Sequence, residues 1–295
     1  MKTIKSKIRL FGLLSGVFLV GLFQSCSEDN IQEKPRSVFT PGFFQTELGV
    51  QGGITFLYEN MRYLYGHEYY YSLLETGTDE YTYGQSADNN FLVPDLSGAG
   101  ANIQSDTYVT SIPWNTAFRA INTASGIIEN AADVGIDPSL VAEANFFRSF
   151  NYFILVQQYG GVPLDLGSGE LKFNTSAVRT SVRNTVPEVY TKAIFPDLIT
   201  AIENLPENPR LTGTVTKNVA RLKLAKAYLT YGWWLENPNN IPTYPETSRT
   251  DPDGHDPQWY FQQAYNLAIQ GIESPGPYGL QEFYYDVHLG SNDRN

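Results

Sequence analysis

The sequence predicts an all-α protein, built as an irregular array of tetratricopeptide-like helical hairpins with long inserted loops. Apolar residues recur at helical spacing in six segments, whereas the alternating pattern of a β-strand is nearly absent. Small residues stand where antiparallel helices would touch, as is typical of stacked hairpins. They include Ala144, Ala201, Ala227 and Ala264. The helix starts are unevenly spaced, so we expect insertions in the loops.

The first two helices are predicted from spacing alone. In the first, residues three or four positions apart form one apolar face: Ile54, Leu57, Tyr58, Met61, Leu64 and Tyr65. The second runs from Trp114 to Ile128, with Phe118, Ile121 and Ser125 on its inner face. Each helix would bury that face against a neighbour.

The next two helices carry boundary signals as well as spacing. The third is predicted to begin with Asp137 as its N-cap and Pro138 in its first turn, and to end at Gly160 and Gly161. The fourth begins near Pro187, and Pro196 is predicted to kink it, because proline lacks an N–H and collides with the preceding turn. Its inner face is predicted to be Tyr190, Ile194, Leu198, Ala201 and Leu205.

The last two helices also begin at recognisable caps. Thr216 precedes the fifth, with an inner face of Ala220, Leu224, Ala227, Tyr228, Tyr231 and Leu235. Asp256 and Pro257 open the sixth, with an inner face of Phe261, Ala264, Tyr265, Ala268, Ile269 and Ile272. The preceding loop, DPDGHDP, has some features of a calcium loop, but its glycine comes too early for an EF-hand. A helix-entry loop capped by Asp256 is therefore favoured.

Residues 1–25 are predicted to be a secretory signal peptide. Four basic residues precede fourteen uncharged residues, Leu10 to Phe23, and the small Ser25 follows. A membrane-spanning helix is the alternative, but spanning needs about 20 apolar residues and this run is shorter.

Cys26, the only cysteine in the chain, is predicted to be a lipid anchor. A lone thiol cannot form a disulfide within its own chain, and no histidine lies near it in the sequence. Its position resembles a bacterial lipobox, in which the cysteine after the cleavage point is lipidated. Residues 26–42 lack apolar periodicity and are predicted to form a lipid-anchored tether. Residues 43–295 are predicted to form the helical domain.

The composition argues against several classes of partner and chemistry. The whole chain has a formal charge of −11, and removal of residues 1–25 leaves −15. Nucleic acid is not an expected partner, because binding to phosphates depends on basic side chains. The sequence has no nucleophile motif, phosphate-binding loop or metal-ligand spacing. We therefore expect no metal site and no cofactor, and we expect the chain not to be an enzyme.

Two stretches resemble the most characteristic segments of the SusD/RagB family. They are AEANFFRSFNYFILVQQYGGVPL at 142–164 and VRNTVPEVYTKAIFPDLITAIENLP at 182–206. The matching residues of the first include Glu143, Ala144, Arg148, Tyr152, Phe153, Gly160, Val162, Pro163 and Leu164. Those of the second include Arg183, Glu188, Val189, Tyr190, Ile194, Asp197, Leu198, Ala201, Leu205 and Pro206. The segments WNTAFRAIN and GTVTKNVARLKLAKAYL resemble the flanking helices.

The resemblance implies a surface-exposed lipoprotein of the outer membrane, which binds oligosaccharides and hands them to a SusC-like TonB-dependent transporter. It also implies a protein nearly twice this length. We therefore expect residues 43–295 to be an incomplete SusD-like domain, with an exposed apolar face on the last helix. Two alternatives stay open. One is a surface glycoside hydrolase, since carboxylate pairs such as Glu75 with Asp79 and Glu80 exist. The other is a peptide- or protein-binding lipoprotein.

The predicted ligand-binding residues lie in a tyrosine-rich segment, residues 67–95. Sugars present a face of C–H groups and a rim of hydroxyls, so a binding surface needs flat aromatic rings beside polar side chains. Five residues supply that mixture here: Asp79, Tyr81, Tyr83, Asn89 and Asn90. Tyr69 to Tyr71 are instead predicted to be core residues of a helix end.

Glu143 and Arg148 are predicted to be packing residues. They are five positions apart and so do not face each other along a helix. Each is expected to find its partner on a neighbouring element, because buried charges are normally paired.

Overall fold

The computed structural model describes residues 41–65, 74–82, 84, 104–131, 134–164, 170–175, 181–243 and 248–288. The α-helices within these ranges are α1 (Pro41–Phe44), α2 (Glu47–Tyr65), α3 (Tyr108–Ala131), α4 (Pro138–Tyr159), α5 (Val186–Val189), α6 (Phe195–Asn204), α7 (Lys217–Glu236) and α8 (Pro257–Glu273). A π-helical segment, Tyr190–Ile194, joins α5 to α6, and a 3₁₀-helix covers Tyr284–His288. The predicted signal peptide and Cys26 lie outside the described residues.

The long helices pack in the order in which they occur along the chain. α2 contacts α3, α3 contacts α4, α4 contacts α6, α6 contacts α7, and α7 contacts α8. Such sequential packing is the pattern of stacked helical hairpins, and the described residues contain no strand. The predicted all-α hairpin array is therefore confirmed. No helix in the described part of the chain is both long and apolar enough to cross a lipid bilayer.

The array begins earlier than the sequence suggested. The predicted tether extended to residue 42, but Pro41 already starts α1. Phe44 explains the difference, because its fully buried ring fills the space beside two glycines, Gly53 on α2 and Gly126 on α3. A Cβ at Gly126 would lie 2.4 Å from that ring, so the contact requires glycine there.

The helix starts use the caps that the sequence predicted. The Asp137 carboxylate accepts a hydrogen bond from the Ser139 N–H at 2.9 Å, and Asp256 accepts one from the Trp259 N–H at 2.8 Å. The hydroxyl of Thr216 caps α7 in the same manner. These bonds satisfy N–H groups that have no partner inside the helix.

The structure places a π-helical turn where we predicted a kink at Pro196. The turn covers Tyr190–Ile194, and its closing bond runs from the Phe195 N–H to the Tyr190 carbonyl, five residues back. Proline has no N–H and so cannot donate a helical hydrogen bond. The π-helical turn, with its bonds to the fifth preceding residue, lies just before Pro196. The five predicted inward residues of this helix are all buried.

The prediction for the inner face of α8 was wrong in part. Tyr260 and Ala264 are buried, but Tyr265 and Ile272 are 62% and 72% exposed, and Ala268 is also exposed. The reason is that α8 packs chiefly against α7, so only a narrow face is covered. The expected exposure of apolar residues on the last helix is thus confirmed at two of its positions.

Polar contacts fix the C-terminal end of α4 to the segment that precedes α5. Arg183 donates from Nε to the Gly161 carbonyl at 2.7 Å and from Nη2 to the Tyr159 carbonyl at 2.8 Å. The Asn184 side chain accepts from the Leu164 N–H at 3.0 Å. A cation is favoured at this end of a helix, where carbonyl groups are left unpaired.

Candidate functional site

Glu143, on α4, is buried and joins three elements. It accepts hydrogen bonds from the Tyr58 hydroxyl at 2.8 Å and from Arg210 Nε at 2.9 Å. The same hydroxyl accepts from the Val215 N–H at 2.9 Å. Burial, and next the charge of Glu143, raises the pKa of Tyr58 well above its ordinary value, so the hydroxyl stays protonated. One carboxylate thus ties α2 and α4 to the loop before α7.

Arg148 lies one and a half turns further along α4 and links it to α6 and α3. Its guanidinium donates to both carboxylate oxygens of Asp197, at 2.7 and 2.8 Å, and to the Ser125 hydroxyl at 3.2 Å. Asn145 donates to the same carboxylate at 2.8 Å. Burial alone would lower the pKa of Arg148, but the adjacent Asp197 charge raises it above its ordinary value.

These two networks confirm that Glu143 and Arg148 find partners on neighbouring elements. Both side chains are buried, at 2% and 7% exposure, so neither is placed to contact a ligand from solvent. Their role is to set how the helices lie against one another. These two residues of the family-like segment are therefore structural.

Asp251 is the centre of the helix-entry loop before α8. One carboxylate oxygen accepts from the Tyr231 and Tyr260 hydroxyls, at 3.1 and 2.9 Å. The other accepts from the N–H groups of Asp253 and His255, at 3.2 and 3.0 Å. Burial, with the Asp251 charge, raises the pKa of Tyr231 above its ordinary value. The acidic sequence DPDGHDP thus orders this loop, and the predicted cap at Asp256 closes it.

The described part of the predicted ligand-binding segment is a compact turn at residues 75–81. The Gly77 N–H donates to the Tyr81 carbonyl at 3.0 Å, and the Thr78 hydroxyl accepts from the Tyr81 N–H at 3.2 Å. Gly77 adopts a positive φ of 90°, which favours glycine. Asp79 is exposed and Tyr81 is 47% exposed, so the turn presents a ring and a carboxylate to solvent.

The remaining predicted ligand residues are Tyr83, Asn89 and Asn90. All three lie outside the described residues, as do Tyr69 to Tyr71, which were predicted to be core. The structure therefore brings Asp79 and Tyr81 together on one turn, and the other three stay predictions.

A second surface feature was not singled out from the sequence. It is a hollow of about 340 Å³ at the C-terminal end of α7, which we call the α7 hollow. Its lining is Thr230, Trp233, Trp234, Asn237, Pro238, Asn239, Ile241 and Arg249. The sequence signal was the tryptophan pair in WWLENPNN, whose two side chains point about 100° apart around the helix axis.

Comparison with known proteins identifies the family. Residues 45–229 match the sequence model of a SusD-like family, described as "Starch-binding associating with outer membrane". The chain belongs to this SusD-like family. The matched range runs from just before α2 into α7, so it includes both buried networks and the Asp79–Tyr81 turn, and it stops one residue before the α7 hollow begins.

Known relatives agree with this assignment. The SusD-like chain is 29% identical over 229 residues to SusD-like protein P2 of Formosa agariphila, which covers 73% of this chain and 42% of that protein. Its fold is similar to that of a SusD homolog from Bacteroides thetaiotaomicron, with a TM-score of 0.62 and 19% identity over 88% of this chain and 46% of the homolog. A SusD-like protein from Bacteroides fragilis gives a TM-score of 0.58, with 18% identity over 90% and 45% of the two chains. This chain thus spans less than half the length of these three relatives.

Proposed function

We propose that this SusD-like chain serves in a surface-exposed lipoprotein of the outer membrane, which captures oligosaccharides and delivers them to a SusC-like TonB-dependent transporter. The observation that carries the proposal is the family match over residues 45–229, since that family is described as starch-binding and associated with the outer membrane.

The Asp79–Tyr81 turn supports the proposal through its chemistry. A half-exposed tyrosine offers a flat face for the C–H groups of a pyranose ring, and a nearby carboxylate accepts hydrogen bonds from hydroxyls. The turn is held by its own backbone and threonine bonds, so the two side chains are presented without a large ordering cost. We propose Tyr83, Asn89 and Asn90 as further contacts from the same segment.

The proposed activity is binding without hydrolysis. A glycosidase needs two carboxyl groups about 5 to 10 Å apart that face the scissile bond. Three buried carboxylates, those of Glu143, Asp197 and Asp251, are engaged by arginine, tyrosine or backbone donors. They therefore support the helical frame, and the proposal assigns them no chemistry.

The proposal is tested by measuring binding and cleavage in one experiment. Purified protein is titrated calorimetrically with maltoheptaose, cellohexaose and xylohexaose, and the same mixtures are assayed for new reducing ends. We expect saturable binding to one of these and no cleavage. Tyr81→Ala should weaken binding about five- to tenfold through loss of ring contact. Release of reducing ends would replace the proposal with the glycosidase alternative, and an absence of binding to every glycan would favour a peptide ligand.

The anchor is tested at Cys26. In cells fed labelled palmitate, Cys26→Ser should abolish labelling and move the protein to the soluble fraction, because stable anchoring depends on the attached acyl chains. Ser25→Ala, which keeps a small residue before the cysteine, is the control and should leave labelling intact. A labelled, membrane-bound Cys26→Ser protein would rule out this anchor.

A further inference from the structure

The walls of the α7 hollow are fixed by contacts within the chain. Trp234 stacks on Tyr231, with ring centroids 5.8 Å apart and planes 7° apart. The Arg249 guanidinium lies 4.5 Å from the centre of the Trp234 ring and donates to the carbonyls of Trp234 and Ile241. Asn237, in a left-handed conformation, accepts from the Ile241 N–H at 2.8 Å. The hollow is therefore formed in advance of any ligand.

Trp233 differs from its neighbour, because most of its ring is left uncovered. It contacts Phe261 at a centroid distance of 5.3 Å, yet 54% of the residue is exposed beside the hollow. Exposing an indole forfeits roughly 25 cal/mol for each Å² of apolar surface that could be buried. A ligand with an apolar face would recover part of that free energy.

Polar groups also line the α7 hollow. A guanidinium carries five N–H donors, and the two carbonyl partners of Arg249 leave others available among the described residues. Asn239 is exposed and also lines the hollow, so its amide adds a donor and an acceptor. One flat apolar surface next to neutral and cationic donors matches a pyranose ring, with its C–H face and equatorial hydroxyls. A purely apolar ligand would leave the donors without partners.

We propose that the α7 hollow is a carbohydrate subsite that holds one pyranose ring of an oligosaccharide, with Trp233 as the stacking platform and Asn239 and Arg249 as hydroxyl partners. The inference rests on the proposed glycan-binding function and adds to it a site outside the family match, separate from the Asp79–Tyr81 turn. The volume of about 340 Å³ lies at the lower end of small-molecule sites and suits one ring with its linkage atoms.

The test follows Trp233 directly. Purified protein is labelled with 5-fluorotryptophan, which gives one fluorine resonance for each of its four tryptophans. Trp233→Phe assigns the resonance of interest. In titrations with the glycan that binds best by calorimetry, this resonance should shift with the same midpoint as the heat. Trp233→Ala should weaken binding about tenfold and Asn239→Ala about fivefold.

A matched control and distinct outcomes separate this inference from the proposed function. Tyr265→Ala removes an equally exposed ring elsewhere on the α7 and α8 pair, and it should leave affinity unchanged. Normal glycan binding with an unmoved Trp233 resonance would overturn the subsite and leave the proposed function intact. Failure of the parent protein to bind any glycan would overturn both. A Trp233 shift that depends on protein concentration alone would instead assign the hollow to self-association.

Discussion

The middle of α4 and the C-terminal end of α7 use their side chains in opposite ways. On α4, charged groups are buried, and Arg148 at 7% exposure has its guanidinium bound to Asp197 and Ser125. At the end of α7, an aromatic residue is open to solvent, with Trp233 at 54% exposure. Burial of a charge requires a full set of partners, whereas an exposed ring is stable without one.

The difference separates the residues that match the family pattern from those that are exposed and can contact a ligand. Several residues of the resembling segments hold neighbouring elements together, among them Glu143, Arg148, Arg183 and Asp197. The family can therefore be recognised from residues that hold the helices together, whereas ligand specificity depends on residues in loops and at helix ends. Substitutions that remove a buried partner should therefore lower stability more than substitutions at exposed positions.

The largest effect is expected at Arg148. Its replacement in Arg148→Ala leaves the Asp197 carboxylate buried without its cation, which should lower the free energy of unfolding by about 3–5 kcal/mol. Urea denaturation followed by circular dichroism measures the change. Asp197→Ala combined with Arg148→Ala should cost less than the sum of the two single changes, because no charge is then left alone. Coincident denaturation curves for the parent and Arg148→Ala would mean that the Arg148–Asp197 pair does not stabilise the packing of the helices.

A smaller effect is expected at Arg210, the half-exposed partner of Glu143. Its side chain is 35% exposed, and Tyr58 still donates to the carboxylate when it is removed. Arg210→Ala should therefore cost about 1–2 kcal/mol in the same assay. Lys192→Ala, which breaks an exposed pair with Glu188, is the matched control and should cost about 0.5 kcal/mol or less. Equal decreases in the free energy of unfolding for the two variants would contradict the expectation that the less exposed pair contributes more.

The smallest effect concerns Lys223, whose ammonium lies over the rings of Phe150 and Phe153, at 4.2 and 4.4 Å. Burial, and then the nearby Lys226, lowers the pKa of Lys223 to about 7. Between pH 7 and pH 9 the unfolded chain therefore binds more protons at this residue than the folded one, so stability rises with pH. Because both rings attract the cation, we expect a rise of only about 1 kcal/mol.

Urea denaturation at pH 6, 7, 8 and 9 measures this dependence. Lys223→Met keeps the stem and removes the charge, so the rise should disappear in that variant. Lys226→Met, on the exposed side of α7, removes only the second cause of the shift and should retain most of the rise. An identical slope in parent and Lys223→Met would show that the rise comes from other groups.

Features decided within a few residues could be predicted from the sequence. Asp137 and Asp256 cap their helices because an oxygen at that position reaches an N–H two or three residues later, whatever lies around it. Five of the six residues that spacing placed on the inner face of α7 are buried, since α6 and α8 both pack against it, and Leu235 is partly buried.

Features decided by distant packing could not be predicted in detail. Spacing along the helix showed that Glu143 and Arg148 need partners on other elements. Those partners, Arg210 and Asp197, lie 67 and 49 residues away in the sequence, so they could be identified only from the packing of the helices. Tyr265 was assigned inward because its spacing fits an apolar face, but among the described residues that face is left 62% exposed at Tyr265. The α7 hollow was missed for a similar reason, since Arg249 and Trp234 are distant in the sequence and come into contact only in the folded chain.

The π-helical turn at Tyr190–Ile194 has a consequence for which changes in length this chain can tolerate. A turn closed by a bond to the fifth preceding residue holds one residue more than an α-turn. Loss of one residue there would return the segment to the regular α pattern without rotating α6, so Asp197 would still face Arg148. A single-residue deletion is thus compatible with the fold at this point, whereas a deletion inside α4 would turn its charged residues about 100° away from their partners.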